Sequence, residues 1–208
     1  YQLRRERYDI AVDLQGLVKS AAAARLSGAG RVVGFDRGQL REPGAGILYT
    51  EYGPARDVSH VIEKNLLLSA HLGGGATNWE FPIAVRPSET VAETRRKLDL
   101  ESDARFVMLN PGAAWDSKCW EPDRYGALAS RLRDACGVKS VVTWGSGGEA
   151  RAIAAVEVSG GAAQLAPPTG IVDLVAHARA AAVVVGGDTG PVHLAAAVGT
   201  PVVGIYGP

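Results

Sequence analysis

The stretch VVVGGDTGPVHLAAAVG, residues 183–199, gathers a carboxylate, a hydroxyl and an imidazole at Asp188, Thr189 and His193. An apolar run stops on Gly186 and Gly187, residues that permit a tight turn and close backbone approach. A small-residue helix follows, with Pro191 in its first turn, where proline is tolerated. First-turn amides have no partner in their own helix and lie at the positive end of its dipole, so they can hold an anion such as a phosphate. A carboxylate would repel that anion, which suits Asp188 to sugar hydroxyls beside it. The plainer reading is that Asp188 or Thr189 only caps the helix. His193, one turn further on, could act as a general base or hold a neighbour by a hydrogen bond.

Other loops carry similar residue types. Lys118 in NPGAAWDSKCW (110–120) could neutralise a pyrophosphate, or be a solvated surface lysine. Glu149 follows the glycine-rich GSGG and could bond ribose hydroxyls, or simply favour the helix dipole. That glycine run lacks the Lys-Ser/Thr of a P-loop and the spacing of a dinucleotide fingerprint. LAPPTG (165–170) completes a set of four loops. No Ser–His–Asp or Cys–His set lies together, so nucleophilic hydrolysis has no support. The two cysteines, Cys119 and Cys136, have neither disulfide-framework nor metal-ligand spacing, which suits a reduced, cytoplasmic compartment.

Positioning these loops requires alternating strands and helices. YDIAVDL (8–14) reads as a buried strand, LVKSAAAARLSG (17–28) as a helix and RVVGF (31–35) as a strand. VSHVIEKNLLLSAHLGG (58–74) reads as a helix that Ser59 can cap, with Val61, Leu66, Leu67 and Ala70 on its apolar face. The rhythm lapses across 73–90, the best linker. It returns as the strands RFVMLNPG (105–112), KSVVTWG (139–145), AAQLAPP (162–168), AAVVVGGD (181–188) and PVVGIYG (201–207), each joined to the next by a helical stretch. Such a pattern builds right-handed βαβ units and a parallel sheet, hence an α/β class, and ligands bind such sheets outside the C-terminal strand ends. The expected division is 1–85 and 86–208, with the four loops of the second part converging on one edge.

The 208 residues carry 22 Lys and Arg against 22 Asp and Glu. A zero net charge argues against a nucleic-acid-coating protein. No run of about 18 apolar residues is present, so no membrane-spanning helix is expected. The chain opens at Tyr1 without a methionine and closes straight after a strand-like run, so an internal piece of a longer protein is expected.

These loops, in this order, resemble a known family. VVVGGDTGPVHLAAAVGTPVVGIYGP resembles the donor-site signature of the family 9 glycosyltransferases, the bacterial lipopolysaccharide heptosyltransferases of GT-B fold. LNPGAAWDSKCWEPDRY resembles that family's lysine loop. YDIAVDLQGLVKSA, REPGAGILY and HVIEK are similar to its heptosyltransferase I branch, which adds the first heptose to the Kdo of the inner core.

The resemblance implies two Rossmann-like parallel-sheet domains facing a cleft, both truncated here: an acceptor-side domain and a donor-binding domain. The implied reaction is inverting transfer of heptose from ADP-heptose to the Kdo and inner core of lipopolysaccharide. No cofactor and no metal are implied. Lys118 matches the lysine on the donor diphosphate, with the backbone of Gly112, Ala113 and Ala114 along the same phosphates. The branch carries hydroxyl residues at the two alanine positions, so some side-chain contacts would be lost. Glu149 matches the ribose-binding acid, and Thr169 falls near the adenine. Asp188, Thr189 and Gly190 match the block that holds heptose and phosphate, with His193 behind them. Lys118 and Asp188 would act electrostatically and by positioning. Lys19, Arg41 and Lys64 fall at basic positions that would meet an anionic, lipid-linked Kdo–lipid A acceptor at the inner-membrane surface.

The family's catalytic base is an aspartate upstream of Tyr1, and Asp13 belongs to a different motif. The resemblance therefore implies an enzyme whose piece in hand binds donor without turnover. Two competing readings are a GT-B enzyme using another nucleotide-sugar, such as a UDP-sugar transferase or epimerase, and a non-catalytic nucleotide-sugar-binding module.

Overall fold

A computed structural model of the chain describes residues 2–75, 79–113 and 115–206. The chain forms two compact units, Tyr1–Glu80 and Phe81–Pro208. The sequence placed the division at 85.

The first unit runs α1 (Gln2–Arg5), β1 (Ile10–Val12), α2 (Val18–Leu26), β2 (Arg31–Gly34), β3 (Glu51–Tyr52) and α3 (Val61–His71), with short 3-10 turns between β2 and β3. Its strands pair in parallel in the order β1-β2-β3. Ala21, Val32, Ala45 and Tyr49 pack on one side, and Val33, Phe35 and Leu68 form a second cluster. Tyr49 lies where a Cβ on Gly34 would be, so only glycine fits at that end of β2.

Two expectations for this unit need correction. The segment 8–14 is not a buried strand: β1 is an edge, and both Ile10 and Val12 are exposed. Edge position leaves its side chains without a covering neighbour. The cap of α3 is His60 rather than Ser59, because the His60 Nδ1 accepts from the Ile62 amide at 3.3 Å. On the same helix Leu68 is buried, whereas Val61, expected on the apolar face, is exposed.

The second unit runs α4 (Glu89–Lys97), β4 (Val107–Asn110), α5 (Pro122–Cys136), β5 (Ser140–Val142), α6 (Glu149–Val158), β6 (Ala163–Leu165), α7 (Ile171–Ala180), β7 (Val183–Gly187), α8 (Gly190–Ala197) and β8 (Val202–Ile205). All five strands are parallel, in the order β6-β5-β4-β7-β8. Phe106, Met108, Val141 and Val184 fill one core cluster, and Val107, Leu109, Val142 and Val185 a second. Adjacent strand residues therefore go to opposite clusters, as helices on both faces require. The strand order steps one way from β4 to β5 and β6, and the other way from β4 to β7 and β8. The C-terminal ends of β4 and β7 thus flank the switch point, where such sheets leave a crevice.

Candidate functional site

Glycine at the end of β7 makes the crevice possible. A Cβ on Gly186 would lie 3.0 Å from Val192 Cγ2 and 3.1 Å from the Asn110 carbonyl oxygen. A Cβ on Gly187 would lie 3.5 Å from the Lys118 carbonyl oxygen. The loop after β4 and the start of α8 can therefore both close on the strand end. The space left is a pocket of about 580 Å3. Gly112 and Ala113 line it after β4, residues 145–148 after β5, and Asp188, Thr189 and Gly190 after β7. Three of the four expected loops converge there, and the loop 165–170 does not.

Neither Asp188 nor Thr189 caps α8. Thr189 occupies the N-cap position with extended backbone and gives the helix no side-chain hydrogen bond. Its hydroxyl instead donates back to the Gly187 carbonyl at 3.3 Å. Asp188 Oδ1 accepts from His193 Nε2 at 3.0 Å, which fixes the carboxylate at the pocket wall. The helix mouth is thus free of side-chain caps, and a carboxylate stands beside it. That arrangement can take an anion on the amides and a polyol on Asp188.

The loop after β5 is shaped by Gly147 at φ 77° and by the Gly148 amide donating to the Gly145 carbonyl at 2.9 Å. Glu149 follows as the exposed first residue of α6 and does not line the pocket. Thr169 is half-buried before α7 and also stands outside it. Lys118 ends a 3-10 turn, Asp116–Lys118, with its side chain exposed and, among the described residues, in no ion pair. Its carbonyl on Gly187 keeps it at the switch point, although the side chain does not line the pocket. Ala114 lies outside the described residues. Beyond Lys118, Trp120 packs edge-on against Tyr125 with ring centroids 5.0 Å apart. Tyr125 is buried, and burial, with Cys119 nearby, pushes its phenol up to about 12. An uncharged phenol anchors the loop's end.

The basic residues assigned to an acceptor lie in the first unit. Lys64, half-buried in α3, lines a polar pocket of about 480 Å3 with Asp36, Gln39 and Asp57, beyond the ends of β2 and β3. Lys19 on α2 and Arg41 are exposed and line no part of it. Asp13 is buried, and both its oxygens are engaged: Oδ1 accepts from the Gln15 amide at 2.8 Å and Oδ2 from the Tyr49 hydroxyl at 2.7 Å. Burial and that carboxylate hold the Tyr49 phenol protonated well above its ordinary range. Asp13 shapes a loop.

Three pocket residues escaped the sequence reading. Asn110 is buried, and its amide donates to Thr143 Oγ1 at 3.2 Å, tying the ends of β4 and β5. Cys119 and Arg151 also line the pocket. Arg151 left one signal: a cation in a helix's first turn opposes the dipole, so its presence there calls for a reason. Among the described residues no three His, Cys, Asp or Glu side chains group as metal ligands, and no helix is long and apolar enough to cross a membrane.

A sequence model of glycosyltransferase family 9 (heptosyltransferase) matches residues 1–208. Lipopolysaccharide heptosyltransferase 1 of Pseudomonas aeruginosa is 29% identical over 211 residues, covering 100% of this chain and 56% of that protein. The solved structure of the E. coli heptosyltransferase WaaC with ADP matches with a TM-score of 0.78 at 26% identity, over 100% of this chain and 65% of that one. The same enzyme with ADP-2-deoxy-2-fluoro heptose matches with a TM-score of 0.74 at 26% identity, over 100% of this chain and 64% of that one. The chain spans less than two thirds of the length of each of these relatives.

Proposed function

The chain belongs to glycosyltransferase family 9, and from that premise we propose that its second unit is the nucleotide-sugar site of an inverting heptosyltransferase. The donor is ADP-heptose, and the acceptor is the Kdo of a lipid-linked inner core at the cytoplasmic surface of the inner membrane. One observation carries the reading: an α8 mouth without side-chain caps stands at the switch point beside a carboxylate held by His193. A diphosphate suits the amides, and the hydroxyls of a sugar suit Asp188. The ADP and ADP-sugar named with the E. coli relative support the choice of donor.

In this reading Gly112, Ala113, Ala114 and Lys118 attend the diphosphate, Glu149 the ribose and Thr169 the base. Asp188, Thr189 and Gly190 hold the heptose and its phosphate. Charge develops on the departing ADP as the acceptor hydroxyl attacks. Donors already aimed at that charge lower the barrier without covalent chemistry. Lys19, Arg41 and Lys64 meet the anionic acceptor. No residue of the chain is assigned as the base that deprotonates the acceptor hydroxyl, and Asp13, buried with its oxygens bonded, is unsuited to it.

The test is titration of the chain with ADP-heptose and with ADP, in the native sequence and in Asp188→Ala. The heptose should add affinity in the native chain, and the substitution should remove that increment while sparing ADP. Equal losses for both ligands would make Asp188 a structural residue and remove the sugar half of the site.

A further inference from the structure

Asn110 closes β4 at the switch point and is only 6% exposed, yet it lines the pocket. Its side-chain amide stands against Thr143, whose hydroxyl donates to the Leu109 carbonyl at 3.3 Å. A hydroxyl has one proton to give. With that proton on Leu109, Thr143 Oγ1 can only accept, so the amide atom 3.2 Å from it is the nitrogen, Nδ2. The network thus tells the two ends of the amide apart. The nitrogen is spent inside the sheet, on a residue that does not line the pocket.

The oxygen is turned the other way. A Cβ on Gly112 would lie 3.9 Å from Asn110 Oδ1, and Gly112 lines the same pocket. Among the described residues no group donates to that oxygen. A buried carbonyl oxygen without a donor is costly, so this one is suited to a donor brought by the occupant of the pocket. Phosphate oxygens only accept and cannot supply it, whereas a hydroxyl can. The position narrows the choice of hydroxyl. Asn110 pairs in register with Gly186 on β7, two residues before Asp188. A Cβ on Gly186 would lie 3.3 Å from Asn110 Cβ, so the side chain emerges beside the turn that carries Asp188. Two acceptors, a carboxylate and an amide oxygen, therefore stand at neighbouring strand ends of one pocket. Adjacent hydroxyls of a sugar suit such a pair.

We propose that Asn110 is a sugar-positioning residue, whose Oδ1 accepts a hydrogen bond from a hydroxyl of the donor's sugar beside Asp188. This rests on the reading of the pocket as a nucleotide-sugar site and adds an uncharged sugar contact to it. The diphosphate is left to the α8 amides and Lys118, as in that reading.

The test titrates the full chain and Asn110→Leu with ADP-heptose and with ADP. Leucine keeps the bulk of the side chain, and Thr143 keeps its bond to Leu109, so no buried hydroxyl is stranded. The ratio of ADP-heptose affinity to ADP affinity should fall about three- to tenfold, the scale of one hydrogen bond between neutral groups, with ADP itself nearly unchanged. A thermal melt of the ligand-free variant checks the fold. If Asn110→Leu does not fold, Thr143→Val takes its place: it frees the amide to turn, and the same ratio should fall. An unchanged ratio in the variant that folds, or equal losses for the two ligands, would overturn the role of Asn110. A native chain that gains no affinity from the heptose would instead overturn the sugar half of the nucleotide-sugar reading, and this inference with it.

Discussion

Asp188 and Thr189 sit at the start of a helix in residue types that ordinarily cap it, yet each bonds elsewhere. Both the capping and the binding reading fit the residue order. The decision rests on where two side-chain oxygens point, which no spacing reveals. His193 was legible as a helper one turn beyond Asp188, and the 3.0 Å contact gives that help a geometry. His193→Ala should free the carboxylate and weaken ADP-heptose by about 0.5–1.5 kcal/mol, the net value of a typical hydrogen bond. Binding of ADP alone should hold, and an equal effect on both ligands in titration would contradict this role. Arg151 stayed hidden because a lone arginine in a helix reads as a solvated face.

At the scale of elements, the strands and helices of the second unit were legible because apolar runs alternate with helical stretches between glycines and prolines. The helix α4 was not. In ETVAETRRK only Val91 and Thr94 are buried, too thin a stripe to set a helical period. What holds α4 is polar. Ser88 caps it through the Thr90 amide and donates to Asp173 Oδ1 at 2.8 Å, while Asp173 Oδ2 accepts from the Gly170 amide to cap α7. The Ser88 and Gly170 hydrogen bonds keep the Asp173 carboxyl below its ordinary range. One turn on, the fully buried His177 bonds the Asp173 carbonyl through Nδ1 and the Thr94 hydroxyl through Nε2. A carbonyl only accepts, so Nδ1 carries the proton and Thr94 donates to Nε2 in the neutral ring.

Burial lowers the His177 pKa. Between its folded value and about 6.5, the unfolded chain binds a proton that the folded chain does not, so stability rises with pH. This contribution is complete above about pH 6.5 and is lost as pH falls through the folded value. Melting temperatures should drop from pH 7.5 to 5.5, and His177→Gln should lessen that drop. Equal slopes would mean that His177 is not the group responsible. The packing of α5 on α6 offers a second check. A Cβ on Gly126 would lie 2.6 Å from the Ala155 carbonyl oxygen. Gly126→Ala should therefore cost about 1–3 kcal/mol in denaturant unfolding. A neutral result would show that the helix pair shifts freely.

For the whole molecule, the parallel α/β class follows from strands that alternate with helices, and it extends to both units. The meeting of three of the four expected loops at one pocket followed too, because loops after parallel strands lie at the C-terminal ends of the sheet. Two things did not follow. The strand order itself depends on which neighbours pair, and β3 is two residues long, below what a pattern can register. The place of a base is the second: Thr169, expected near it, stands outside the pocket that the other loops build.

The proposed function places an ADP-sugar at the junction of β4 and β7. Calorimetric titration of the chain with ADP and with UDP, repeated in Lys118→Ala, tests it most directly. ADP should be preferred, and the variant should lose about 1.5–3 kcal/mol, the scale of a hydrogen bond to a charged group. Preference for UDP, or ADP affinity indifferent to Lys118, would contradict it.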